Sequence, residues 1–228
     1  MVGPGDKIML DKLEKPVFLI SNEVFAHLPS RMPSLTKLKK AKIVAHRGAF
    51  DNKSIFENTL DSIQACLNSH IWGVELDIRW TKDLKPVIFH DSDLNRMFGV
   101  NKKINQLTWK EIKAQYSIIP SLDEVVQQFG HKIHFFFELK NDDAFEKKAK
   151  IGIKNQYKKI SRALSSLSPI QDFHFMSFDS NQFNYLDNYP SETFIPIAQI
   201  NIVETMDLAK KNKYAGVACH YLFLSSYY

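Results

Sequence analysis

The chain has 228 residues, 44% hydrophobic and 24% charged, with a formal net charge of +5. That balance excludes a disordered or fibrous chain and sets one good-sized globular domain as the expectation. Two cysteines, Cys66 and Cys219, exclude a disulfide framework and a cysteine metal cluster; they read as small packed side chains, leaning towards a reducing compartment. No basic stretch leads into an apolar signal-type run, and the longest apolar runs, such as residues 16–20 (PVFLI), are too short to span a bilayer. A cytoplasmic or otherwise soluble protein is therefore expected. Lysine clusters at 37–42 and 147–159 favour anionic partners, peripheral contact with a membrane surface included, although solvated helix faces are the plainer reading. Nucleic acid is not an expected partner, because the basic runs lack interleaved aromatics in a recognisable motif.

Residues 1–40 carry no motif and read as an N-terminal extension ahead of a domain at 41–228. A first apolar run, 43–45, leads into His46-Arg47-Gly48. Ser54 and Glu57 have capping-box spacing, and Leu60, Ile63 and Leu67 form a helix stripe that ends near Gly73. The next strand, 74–78, places Glu75 and Asp77 on one side and Val74, Leu76 and Ile78 on the other, because side chains alternate along a strand. Residues 81–85 are too few for a crossover helix, so a tight loop joins this strand to the run 86–89, which ends in His90-Asp91.

Residues 91–106 read as a loop, followed by a helix capped by Thr108 with Glu111 and another capped by Ser121 with Glu124 and ending at Gly130. The strand 133–140 puts His134, Phe136, Glu138 and Lys140 on one face and Ile133, Phe135, Phe137 and Leu139 on the other. A long amphipathic helix carries Ile153, Tyr157, Ile160, Leu164 and Leu167. A strand at 172–178, a short helix from Ser180, a strand at 194–200, a helix at 203–212 and a strand at 214–220 complete the chain. Such alternation predicts an α/β protein with a largely parallel sheet. Polar groups at strand C-termini, without a glycine-rich phosphate loop, favour a TIM-type (β/α)8 barrel over an open doubly wound sheet. Seven strands are predicted where eight close such a barrel, so it is expected to be incomplete at the C-terminal end.

Glu75, Asp77 and Glu138 would make a hard, all-oxygen site suited to Mg2+ or Ca2+; the alternative, surface acids on exposed strands, fits poorly with their apolar flanks. His46 and His90 stand where strands meet loops, and imidazoles there can accept and donate protons. Arg47 offers a planar fork and Lys140 a point charge for phosphate oxygens. His70, His131, His134 and His220 read as structural residues.

In order, the motifs His46-Arg47-Gly48, Glu57-Asn58-Thr59, Glu75-Leu76-Asp77, His90-Asp91 and Glu138-Leu139-Lys140 resemble those of the glycerophosphodiester phosphodiesterases. The resemblance implies metal-dependent cleavage of a glycerophosphodiester to glycerol 3-phosphate and an alcohol. It makes Glu75, Asp77 and Glu138 the metal ligands and His46 and His90 the general acid and base, in an order left open. Arg47, Glu57, Asn58 and Lys140 become the substrate-binding group. Glu57 is a candidate to orient a histidine or metal ligand, or simply a helix cap, and Asn58 a candidate donor to substrate. The alternatives are phospholipase D-like action on lysolipids or sphingolipids, and a truncated, inactive phosphate-ester or membrane-surface binding protein. Family members continue through a WTVN-like strand and one of the GVDGIITD type, neither of which occurs here. Residues 1–40 are therefore expected to cover the open side, with 16–20 as the contact patch; a second subunit is the alternative cover.

Overall fold

Six strands of one sheet follow each other in the order β1-β2-β4-β5-β6-β7, and β3 pairs with β2 beside that path. This is a computed structural model that describes residues 41–141, 150–199 and 201–219, together with Ser34, Thr36 and Lys40. The strands are β1 (Val44–His46), β2 (Gly73–Trp80), β3 (Pro86–Ile88), β4 (His134–Leu139), β5 (Phe173–Ser177), β6 (Phe194–Ala198) and β7 (Ala218–Cys219). All neighbours along the path are parallel. The helices are α1 (Leu60–Asn68), α2 (Asn95–Phe98), α3 (Trp109–Gln115), α4 (Leu122–Phe129), α5 (Lys150–Ala163) and α6 (Ile202–Asn212). Within the compact unit Lys42–His220, this is an incomplete (β/α) barrel, as expected.

The period-two pattern of β4 separates its two faces. Ile133, Phe135, Phe137 and Leu139 join Phe173 and Phe175 in the main core, against Ile63 and Cys66 of α1, Val125 and Phe129 of α4, and Ile160 of α5. Full burial of each such large apolar side chain contributes about 1.5–3 kcal/mol. That layer holds sheet to helices from outside, so the inner face is free to carry polar groups.

β3 turns back antiparallel to β2, pairing Ile78 with Ile88 and Trp80 with Pro86. Of the seven predicted strands, the run 86–89 is thus the return arm of a hairpin, and six parallel strands stand among the described residues. The hairpin brings Phe89 back to Asp77, its N–H donating to the Asp77 carbonyl at 2.9 Å, and His90 follows directly. A second apolar cluster, including Val87, Phe89, Leu94, Ile104, Leu107 and Ile112, anchors this arm.

Two local expectations need correction. Residues 91–106 contain α2, closed by Gly99 in the left-handed conformation (φ 69°), and a 3-10 turn at Ile104–Gln106, because buried Leu94 and Ile104 pin the segment. The first helix is capped by Thr59 with Ser62, not by Ser54 with Glu57. Ser54 instead donates to Asp51, whose carboxylate also accepts the N–H groups of Lys53, Ser54 and Ile55 and shapes the loop before Glu57. The Thr108–Glu111 and Ser121–Glu124 boxes form as predicted. The patch at 16–20 and the covering role expected of residues 1–40 lie outside the described residues.

Candidate active site

β2 is buried along its whole length, and parallel pairing sets what stands beside it: His46 pairs with Glu75, and Asp77 with Glu138. Paired residues share a face, so the carboxylates converge, with one oxygen from each of Glu75, Asp77 and Glu138 within 4.8 Å of the others. All three are buried. Burial, then the charges of Asp77 and Glu138, push the Glu75 carboxyl well above the usual range, and burial raises Glu138 too. Asp77 goes the other way: burial opposes its charge, but Lys140 and the Asn58 hydrogen bond outweigh it. Lys140 Nζ lies 2.8 Å from Asp77 Oδ1 and also pairs with Glu138. Lys140 and Arg47, whose Nε lies 3.6 Å from Asp77 Oδ2 and whose Nη1 is shared with Glu57, are fewer than the three carboxylates they face, and Glu75 Oε1 is buried without a hydrogen-bond partner. Both features fit a hard divalent cation such as Mg2+ or Ca2+.

The loop after β1 packs against these carboxylates. Arg47 holds a left-handed backbone conformation (φ 60°), and its N–H reaches the Glu75 carbonyl at 3.0 Å and Glu75 Oε2 at 3.2 Å. Such a conformation is uncommon for a residue with a side chain and persists where surrounding contacts impose it. Gly48 follows at φ 89°, where an added Cβ would lie 2.3 Å from Ser62 Oγ, so the loop lies tight on α1 only because this residue is glycine. Asn58, also left-handed, donates from Nδ2 to Asp77 Oδ2 at 2.7 Å and accepts the Asp77 N–H at 3.3 Å. Its amide is thereby engaged on Asp77.

His46 Nε2 stands 3.8 Å from Glu75 Oε2, with most of its side chain exposed. Partial burial, then the Arg47 charge, lowers its pKa. His90 Nδ1 donates to Asp91 Oδ1 at 2.7 Å, and Arg79 Nε donates to the His90 carbonyl at 2.8 Å. Beyond Asp91 lies a group that the sequence reading missed. Arg96 Nε donates to Asp91 Oδ2 at 2.6 Å, while its Nη1 and Nη2 reach Glu57 Oε2 and Oε1 at 3.0 and 2.6 Å. Glu57 Oε1 also accepts from Arg47 Nη1 at 3.0 Å. Burial opposes the Glu57 and Asp91 charges, but these bonds hold both carboxyls below their ordinary range. A cavity of about 460 Å³, open to solvent, is lined by Arg79, His90, Asp91, Asp93, Asn95 and Arg96.

Arg79 was missed as well, because the predicted strand stopped at 78; the signal was its spacing of two from Glu75 and Asp77 on what is one strand, β2. Arg96 had only indirect signals, Leu94 before it and Gly99 as a helix stop after it. His134 lies elsewhere, towards the N-terminal ends of the strands. Its Nδ1 donates to the Gln171 carbonyl at 2.9 Å, and its Nε2 accepts from His174 Nδ1 at 2.8 Å. His131 pairs with Asp172 at 2.9 Å. Among the described residues, no helix is long and apolar enough to cross a membrane.

Similarity to known proteins runs through this site. A glycerophosphodiester phosphodiesterase of Bacillus altitudinis is 34% identical over 113 residues, covering 44% of this chain and 45% of the relative. Glycerophosphodiester phosphodiesterase 1 of Bos taurus is 31% identical over 132 residues, covering 51% of this chain and 39% of the relative. The matches thus span less than half the length of these relatives. Among solved structures, a glycerophosphodiester phosphodiesterase of Thermotoga maritima superposes with a TM-score of 0.64 at 24% identity, covering 80% of this chain and 74% of that one. An Oleispira antarctica phosphodiesterase in complex with the product sn-glycerol-3-phosphate gives 0.65 at 23% identity, covering 81% and 77%. These two show the shared fold. The family model for the glycerophosphoryl diester phosphodiesterase family matches residues 46–226, and the chain belongs to that family.

Proposed function

We propose that this protein hydrolyses glycerophosphodiesters to glycerol 3-phosphate and an alcohol, using a divalent cation held by Glu75, Asp77 and Glu138. The observation that carries the reading is the buried carboxylate trio beside His46, with His90 returned to it by the β2–β3 hairpin. The Oleispira antarctica relative, bound to sn-glycerol-3-phosphate, supports the choice of product. When bound, the ion supplies Lewis-acid polarisation of the phosphoryl group.

The chain's own residues do the rest. Arg47 and Lys140 set positive charge beside the carboxylates, where anionic phosphate oxygens must be held. Asn58 fixes the Asp77 carboxylate, a role through a ligand instead of a contact with substrate. Asp91 accepts from His90 Nδ1, so a neutral His90 carries its lone pair on Nε2 and suits the proton acceptor that activates the attacking oxygen. His46, more exposed and beside Glu75, is then the group that protonates the departing alcohol.

The test is a panel of glycerophosphodiesters and lysophospholipids, assayed for glycerol 3-phosphate with Mg2+, with Ca2+ and with chelator. Release from glycerophosphocholine that stops on chelation and returns with added ion is expected. Release of phosphatidic-type products from lysophospholipids alone would replace this reading with phospholipase D-like action. Tight binding of glycerophosphodiesters without turnover would make the chain a binding protein.

A further inference from the structure

We infer that Arg96 is a positioning residue that selects the reactive tautomer of His90 by clamping Asp91 against Glu57. The inference rests on the reading of His90 as proton acceptor given above. A lone histidine ring exchanges freely between its Nδ1–H and Nε2–H forms, and the partner of one nitrogen decides which form persists. Here that partner is Asp91 Oδ1, 2.7 Å from His90 Nδ1. Asp91 immediately follows His90, and its carboxylate could rotate to solvent. The Arg96 guanidinium prevents this, because Nε holds Asp91 Oδ2 at 2.6 Å while Nη1 and Nη2 grip both oxygens of Glu57.

Glu57 is a suitable anchor because it is itself fixed. It is buried, accepts from Arg47 Nη1 at 3.0 Å and Asn52 Nδ2 at 3.2 Å, and its N–H donates to Asn52 Oδ1 at 3.1 Å. The chain of contacts Arg47–Glu57–Arg96–Asp91–His90 therefore ties the loop after β1 to the loop after β3. His46 ends the strand before the first of those loops, and His90 lies in the second. Arginine is required by shape: a planar fork can serve two carboxylates on different edges at once, whereas a lysine ammonium is a single point. Half of the Arg96 side chain is exposed, so its value lies in orientation and not in packing.

The experiment compares the full chain with Arg96→Gln, Arg96→Lys and His90→Ala. Steady-state hydrolysis of glycerophosphocholine with Mg2+ is measured beside 15N NMR of the histidine ring nitrogens in metal-free protein. Arg96→Gln is expected to lower kcat by about 10- to 100-fold, the usual cost of losing a supporting partner, with KM within about threefold because ground-state binding is untouched. The His90 signals should change from a protonated Nδ1 with a bare Nε2 to a mixture of both forms. Arg96→Lys should lose the same tautomer preference, which secures the answer should Arg96→Gln unfold. Unchanged ring signals and unchanged kcat in a folded Arg96 variant would overturn the inference, as would a raised KM at full kcat, which would make Arg96 a substrate contact. Full activity in His90→Ala would instead overturn the proton-acceptor reading, and the ring signals alone would then decide whether Arg96 orients His90.

Discussion

The inner face of β2, β4 and β5 carries two layers that bury titratable groups and treat them in opposite ways. Towards the strands' C-terminal ends stand Glu75, Asp77, Glu138 and Lys140, crowded, like-charged and incompletely partnered. Towards the N-terminal ends stand His134 and His174, stacked among Trp72 and Phe136. Trp72 lies nearly parallel to His134 with centroids 4.5 Å apart, and Phe136 parallel to His174 at 5.5 Å. In this lower layer the hydrogen bonds close: Gln171 O takes the His134 proton, and His134 Nε2 takes that of His174. Burial, then the neighbouring His134, lowers the His174 pKa to about 4, so the pair stays neutral. One layer closes its hydrogen bonds within the protein; the other crowds three carboxylates around Lys140 and Arg47. The groups proposed to act in catalysis carry local electrostatic strain, and groups two or four residues away on the same strand do not.

The largest effect expected from this contrast follows loss of a carboxylate. Glu75→Gln, Asp77→Asn or Glu138→Gln should reduce hydrolysis by more than about 10³-fold, since each would remove a charged ligand of the proposed cation. Glu75→Gln should at the same time raise the urea midpoint of the metal-free protein, because a like charge leaves a buried cluster. A Glu75→Gln variant that binds Mg2+ as the parent does, by titration calorimetry, would remove Glu75 from the site.

His46→Ala and His90→Ala are expected to lower kcat by roughly 10²- to 10⁴-fold each. A substrate with a better leaving group should restore more activity to His46→Ala than to His90→Ala. The reverse pattern would exchange their roles.

Lys140→Met probes the upper layer as structure. It leaves Asp77 and Glu138 buried without their ammonium partner, and a loss of about 3–5 kcal/mol in metal-free stability is expected from urea unfolding. Added Mg2+ should recover part of it by mass action, which no ion should do for damage in the lower layer.

The smallest effect concerns pH and the lower layer. The folded pKa of His174, about 4, lies below its ordinary value of 6.5, so the unfolded chain binds more protons between those values and stability falls as pH drops through that window. Above pH 6.5 the contribution is fully present. His174→Asn keeps a donor for His134 Nε2 but cannot titrate, and should flatten the dependence. An unchanged pH profile of the urea midpoint would show that another group carries it.

The sequence by itself determined the strands, the main core and the carboxylate face, because these rest on short-range rules. Alternation along β2 and β4 sends Glu75, Asp77 and Glu138 to one side and Val74, Leu76 and Phe137 to the other, whatever the rest of the chain does. The helix starts at Thr108 and Ser121 were legible for the same reason, since a capping box spans four residues. Only the tertiary structure decided what depended on partners distant in sequence. Ser54-x-x-Glu57 has the same spacing as a true cap, but Glu57 meets two guanidinium groups, and those charge-assisted bonds outweigh a backbone cap. Asn58 turned to Asp77, 19 residues on, and the short β2–β3 connection became an antiparallel return that carries His90 back towards the carboxylate trio. Arg96 acquires meaning only when the loops after β1 and β3 lie side by side. Local periodicity does not encode such a contact, because its energy comes from two charges that the fold brings together across 39 residues.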